Sequence, residues 1–127
     1  MEILGRCELH NADCMEVMKS IPDKSVDAII ADLPYGTTAC KWDTVIPFEP
    51  LWAQYKRIIK DNGAIVLTAT NPFAAALIQS NIDWFKYEWV WHKNMTSGFA
   101  LSKKAKRFKR KFEAKNELCI YNIQRHK

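Results

Sequence analysis

The period of the apolar positions changes several times along the chain, and each change marks an element. Residues 6–10 read as a short strand. Met15, Val17 and Met18 then fall near helical spacing, and Asp13-Cys14-Met15-Glu16 has the form of a capping box. A helix is therefore predicted from there to Ile21-Pro22-Asp23. Residues 26–31 (VDAIIA) form a near-continuous apolar run of strand length, the pattern of a strand buried on both faces. Residues 32–47 carry few helix or strand signals. Leu51, Trp52, Tyr55, Ile58 and Ile59 share one helical face, with Asp61-Asn62-Gly63 as a C-terminal stop. Residues 64–69 (AIVLTA) read as a second buried strand. Asn71-Pro72 reads as an N-cap with proline at the first helical position, opening a helix over 73–79. Residues 85–92 alternate, with Phe85, Tyr87, Trp89 and Trp91 against Lys86, Glu88, Val90 and His92, which suits a strand with one polar face. A loop over 93–116 and a strand over 118–123 follow.

The predicted order is β-α-β-α-β-α-β-β. Alternating strands and helices imply an α/β fold, a mainly parallel sheet with helices on both faces. The last two strands, with no helix between them, are expected to pair antiparallel. Open sheets of this kind bind ligands at the carboxyl ends of their strands. Asp13, just past the first strand, and Asp32, at the end of the second, are the acidic residues at such positions.

A length of 127 residues suits one domain, and 48% hydrophobic residues suffice for a core. No apolar run approaches the roughly 20 residues of a membrane span, and no secretory leader pattern opens the chain, so a cytoplasmic protein is expected. Cys7, Cys14, Cys40 and Cys119 form no CxxC, and His10, His92 and His126 are scattered. Neither a metal site nor a disulfide framework is expected; the thiols read as reduced, mostly small buried residues. Gly5, Gly36, Gly63 and Gly98 never fall within two residues of one another, which excludes a dinucleotide fingerprint and a Walker loop.

The net charge of +5 is uneven. Residues 1–102 carry a net −3 and residues 103–127 a net +8, concentrated in KKAKRFKRKFEAK. Lys103, Lys104, Lys106, Arg107, Lys109, Arg110 and Lys111 form a cluster that can neutralise phosphates, or a solvated loop that keeps the protein soluble. The interleaved Phe108 and Phe112 favour a docking surface.

Asp32-Leu33-Pro34-Tyr35-Gly36 directly follows the first buried strand and carries the most specific chemistry. An exocyclic amine of a base is a poor nucleophile because its lone pair is delocalised into the ring. Acceptors for both amine hydrogens let the nitrogen pyramidalise. A carboxylate and a neighbouring backbone carbonyl can supply them, and Pro34 restricts the conformation of the residue before it. An adjacent aromatic can stack on a base taken out of the duplex, worth about 1–3 kcal/mol.

The segment resembles the [DNS]-P-P-[YFW] motif of DNA amino-methyltransferases. Residues 11–36, from Asn11-Ala12-Asp13-Cys14 through Ile21-Pro22-Asp23-Lys24-Ser25-Val26-Asp27 to Gly36, are similar to the opening of the permuted (beta) class found in phages and prophages. Lys41-Trp42-Asp43 and Lys115-Asn116-Glu117 are similar to that class too. The resemblance implies a Rossmann-like methyltransferase fold, S-adenosylmethionine as cofactor, DNA as partner and a place in restriction-modification. It makes Asp32 the acceptor for the target amine, Leu33 the donor of the second acceptor carbonyl in place of the usual proline, and Tyr35 the stacking aromatic. Asp13 corresponds to the contact with the adenosine part of the cofactor, and equally reads as a plain helix cap. Aspartate at the first motif position favours adenine N6 over cytosine N4. Trp42 and Asp43 read as loop packing, and Asn71-Pro72-Phe73 as a helix start that lines the base pocket on the alternative reading.

The family's glycine-rich cofactor motif has no counterpart in these 127 residues. The expectation is thus a base-pocket half: a truncated enzyme, half of a split enzyme completed by a second chain, or a chain that re-pairs its strands and dimerises. A non-catalytic nucleic-acid-binding remnant and an RNA-directed enzyme are the rival readings.

Overall fold

A computed structural model describes residues 1–92 and 117–124, with side chains described for 1–91. The basic cluster at 103–111 and the surrounding loop lie outside the described residues. The elements are β1 (Glu2–Leu4), β2 (Cys7–Leu9), α1 (Cys14–Ser20), β3 (Val26–Asp32), α2 (Phe48–Ile58), β4 (Ile59–Ala69), α3 (Phe73–Ser80), β5 (Phe85–His92) and β6 (Glu117–Gln124). A single 3-10 turn, Ile82–Trp84, leads into β5. β3, β4, β6 and β5 form one sheet in that order. The β3/β4 pair is parallel; β6 runs antiparallel to both β4 and β5. The α/β architecture and the antiparallel final strands agree with the sequence reading.

The periodicity of β4 decides where the core lies. Ile65, Leu67 and Ala69 point inward and are buried, while Ala64, Val66 and Thr68 face the other way and are half-exposed. On the inner side, Leu51, Trp52, Tyr55 and Ile58 of α2 and Phe73, Ala74 and Leu77 of α3 join the β4 residues and Met18 of α1 in one cluster. Leu51, Ile65, Leu67 and Leu77 are the largest fully buried side chains, each contributing about 1.5–3 kcal/mol of burial. Arg57 ties α1 to α2: its guanidinium donates to Met18 O (2.6 Å) and Ile21 O (2.8 Å) and pairs with Asp23 (2.5 Å). It thereby satisfies carbonyls that the end of α1 leaves without helical partners.

Five expectations are corrected. The first strand does not enter the main sheet. Gly5, at φ +62°, reverses the chain, and Leu4 pairs with Cys7 in a separate two-stranded hairpin. Asp13 therefore does not follow a strand of the main sheet. Among the described residues α1, α2 and α3 share one core. Val26, Ile29 and Ala31 of β3 are accordingly half-buried against that core, and Ile30, on the other face, is 79% exposed. Asp61-Asn62-Gly63 does not terminate α2, which ends where Ile59 N–H is donated to Tyr55 O. Those residues lie within β4, where the register with β3 shifts between Val26 and Ala28. Asn71 does not cap α3. The Asn71–Pro72 peptide is cis, and the first turn is closed by Ala74 N–H donated to Thr70 O at 2.9 Å. Finally, Cys7, Cys14 and Cys40 are exposed free thiols, not buried ones.

Gly63 is constrained by close approach. A Cβ there would lie 2.6 Å from Ile59 Cγ1 and 2.9 Å from Asp27 O on β3. The isoleucine side chain can shift, but the carbonyl of the paired strand cannot without breaking register. Gly63→Ala is expected to cost about 1–3 kcal/mol, the usual range for overpacking, read from urea unfolding. An unchanged midpoint would show that β3 and β4 part freely at this point.

Candidate functional site

Asp32 and Thr68 are the last paired residues of the parallel β3/β4 ladder, so their side chains emerge side by side at the carboxyl end of the sheet. The loop after β3 returns Tyr35 onto this pair. Its hydroxyl donates to Asp32 Oδ1 at 2.8 Å and lies 2.9 Å from Thr68 Oγ1. Thr68 Oγ1 also donates to Asp32 Oδ1. One carboxylate oxygen thus takes two hydroxyl donors. Among the described residues Asp32 Oδ2 takes none, and the side chain is exposed.

The Tyr35 ring is half-buried and packs on Phe73 at the start of α3, with centroids 5.1 Å apart. Phe48 supports Phe73 from α2 at 5.7 Å. Burial raises the Tyr35 phenol to about 12, opposed by the hydrogen bond with Thr68 and assisted by the hydrogen bond to, and charge of, Asp32. The phenol therefore keeps its proton, and its donation to Asp32, throughout the neutral range. Leu33 is buried in the core cluster, which anchors the backbone between Asp32 and Pro34. Burial here supplies a fixation that a ring would supply were a proline present.

Asp43 closes the loop from the other side. Its Oδ1 accepts from Gly36 N–H (2.9 Å), and its Oδ2 accepts from Thr37 N–H (2.9 Å) and Thr38 N–H (2.7 Å). A buried acid bound to three successive amides forms an anion-in-nest arrangement built from the chain's own residues. Gly36, at φ +68°, allows the turn. A bond from the Thr38 hydroxyl, then those from the Gly36, Thr38 and Thr37 amides, lower the Asp43 carboxyl from 3.8 to about 2. Asp32, Leu33, Pro34, Tyr35, Thr37, Thr38, Trp42 and Asp43 line a cavity of about 350 Å³.

The structure thus brings together Asp32, Leu33, Pro34 and Tyr35. Asp13 is not among the lining residues. It caps α1, Oδ1 accepting from Met15 N–H at 2.8 Å, while Glu16 pairs with Lys19 instead of completing the capping box. Thr68 was not singled out by sequence reasoning. Its only signal is a polar residue ending an apolar strand, as Asp32 does; its partnership with Asp32 depends on strand register. Asp43 read as loop packing, and its span back to Gly36 carries no local signature. No cluster of three or more His, Cys, Asp or Glu suited to a metal exists among the described residues.

No family model and no curated protein sequence matches the chain. Solved structures do. The complex of M1.HpyAVI with SAM is 21% identical, with a TM-score of 0.58 over 93% of this chain and 53% of its own. A DNA modification methylase of Thermus thermophilus, TTHA0409, is 18% identical, with a TM-score of 0.57 over 91% of this chain and 51% of its own. The cytosine-N4-specific PvuII DNA methyltransferase is 13% identical, with a TM-score of 0.55 over 89% of this chain and 47% of its own. The chain spans about half the length of these structures and shares their fold.

The Asp43 latch has a defined acid limit. A carboxyl at about 2 in the folded chain against 3.8 in the open chain stabilises fully above about pH 4, and that contribution is lost as pH falls through 2. Asp43→Asn is expected to melt at a lower temperature than wild type at neutral pH, with the difference closing between about pH 4 and 2. A constant difference across that window would contradict the latch.

Proposed function

We propose that this chain supplies the base pocket of a DNA methyltransferase that modifies the exocyclic amine of a flipped base, with adenine N6 favoured over cytosine N4. The observation that carries the reading is the asymmetry of Asp32: one oxygen committed to Tyr35 and Thr68, the other open beside a ligand-sized cavity. The two hydroxyls fix the carboxylate plane. Oδ2 is then an oriented acceptor for one amine hydrogen, and the Leu33 carbonyl accepts the second. With both hydrogens drawn off the ring plane, the lone pair is released from the ring. This is acceptor preorganisation, which acts without reorganisation at the moment of reaction. Tyr35, backed by Phe73, offers its ring to the base.

S-adenosylmethionine would supply the methyl group, as the resemblance implies and the bound complex of M1.HpyAVI supports. The described residues fit the base side of that reaction and not the donor side: Asp13 is exposed, capping α1, and lies outside the cavity lining. DNA as substrate is carried over from the names of two structural neighbours, a DNA modification methylase and a DNA methyltransferase. The lysine and arginine cluster from Lys103 to Lys111 would supply phosphate contacts, and a second chain or second copy would complete the sheet beyond β3. A phage or prophage origin within a restriction-modification system, and a cytoplasmic location, belong to the same reading.

The test compares oligothymidylates carrying one adenine, one purine or one cytosine. Purine lacks the exocyclic amine. Wild type is expected to bind adenine about tenfold more tightly than purine, the scale of leaving one buried acceptor unpaired, with cytosine between them. Asp32→Ala is expected to lose the discrimination. Equal affinity of the wild type for adenine and purine would overturn the reading.

A further inference from the structure

Trp42 is the most exposed aromatic side chain at the site, yet sequence reasoning assigns it to packing. The structure shows no packing role for it. It is 75% exposed and nonetheless lines the same cavity as Asp32 and Tyr35. Its neighbour Asp43 explains the placement. Asp43 N–H is donated to Cys40 O at 3.0 Å, closing a four-residue turn whose central residues are Lys41 and Trp42. Asp43 points inward and spends both oxygens on the Gly36–Thr38 amides. The turn is thereby pinned to the loop that carries Tyr35, and the indole is held out over the cavity, away from the core. An indole left in water forgoes a large burial gain, since a tryptophan can cover about 150–250 Å². A water-facing indole on a pinned turn, beside an exposed cation, Lys41, has the chemistry of a stacking platform for a nucleobase, with a phosphate partner next to it.

We infer that Trp42 is the outer wall of the base pocket and stacks on the base whose amine Asp32 receives, opposite Tyr35. The inference rests on the base-pocket reading and adds to it a second aromatic contact and the latch that presents it. Stacking needs a π-face and no amine, so Trp42 adds affinity for any base in the pocket, whereas Asp32 discriminates among bases.

That difference separates the two ideas in one experiment. The full chain and its Trp42→Ala and Trp42→Phe variants are titrated with the adenine and purine oligothymidylates, following labelled-strand anisotropy and intrinsic tryptophan fluorescence. Trp42→Ala is expected to weaken both oligonucleotides about tenfold, within the range for loss of one base–aromatic stack, and to leave the adenine-to-purine ratio unchanged. Trp42→Phe is expected to stay within about threefold of wild type, since phenylalanine also stacks. Wild-type fluorescence is expected to be quenched on binding, with the quench reduced in Trp42→Phe. At 75% exposure the substitution leaves the core intact, which thermal melting checks. Wild-type affinity in Trp42→Ala, with the ratio intact, would overturn the inference and leave the pocket standing. A ratio of one in the wild type would overturn the pocket reading and this inference with it.

Discussion

Asp32 stands at the last rung of a parallel strand pair, and the register of that pair determines what the carboxylate can do. The Asp32–Thr68 pairing puts a hydroxyl beside the acid without any contribution from the loop. The loop then adds Tyr35 to the same oxygen. Shifting β3 against β4 by one residue would send Asp32 to the opposite face of the sheet and dissolve the arrangement. Gly63 therefore belongs to the site's foundations, although it lies mid-strand in β4, away from Thr68: a side chain there would press on the β3 carbonyl of Asp27.

The second constraint is the loop's own fixation. A stretch of 15 residues between β3 and α2 has little regular structure, and such segments do not hold a functional geometry unaided. Three features hold this one. Leu33 is sunk in the core, Tyr35 rests on Phe73, and Asp43 gathers the amides of Gly36, Thr37 and Thr38. They act on successive parts of the loop, so the carboxylate, the tyrosine ring and the turn that carries Trp42 each have separate support. Among the described residues the outer sheet face, with Ile30 and Val66, carries no helix, and the support they give the site comes from the core side.

Much of this was legible in the amino-acid order, and the limits have physical causes. VDAIIA and AIVLTA announce strands because short runs rich in branched apolar residues suit a pleated, partly buried surface, and Asp13 announces its cap because the hydrogen bond is local. The tetrad Asp32–Tyr35 stands out since its residues are consecutive. Thr68 and Asp43 did not stand out because their partners lie 36 and up to 7 residues away and are chosen by register and loop closure. The residue 6–10 strand was read correctly as extended, but its partner was not legible: Gly5 turns the chain on itself and satisfies the ladder locally. The Asn71-Pro72 cap failed for a related reason. The residue types suit a cap, but Thr70 O takes the first-turn amide instead.

The central claim is that a base amine donates to the free oxygen of Asp32. It is tested most directly by observing those amine protons. An oligothymidylate bearing one adenosine labelled with nitrogen-15 at N6 can be followed by nitrogen-edited proton NMR as the chain is added. The amine protons are expected to move downfield on saturation and to stay at their free-strand positions with Asp32→Ala. Amine protons that do not shift in the saturated wild-type complex would contradict the account.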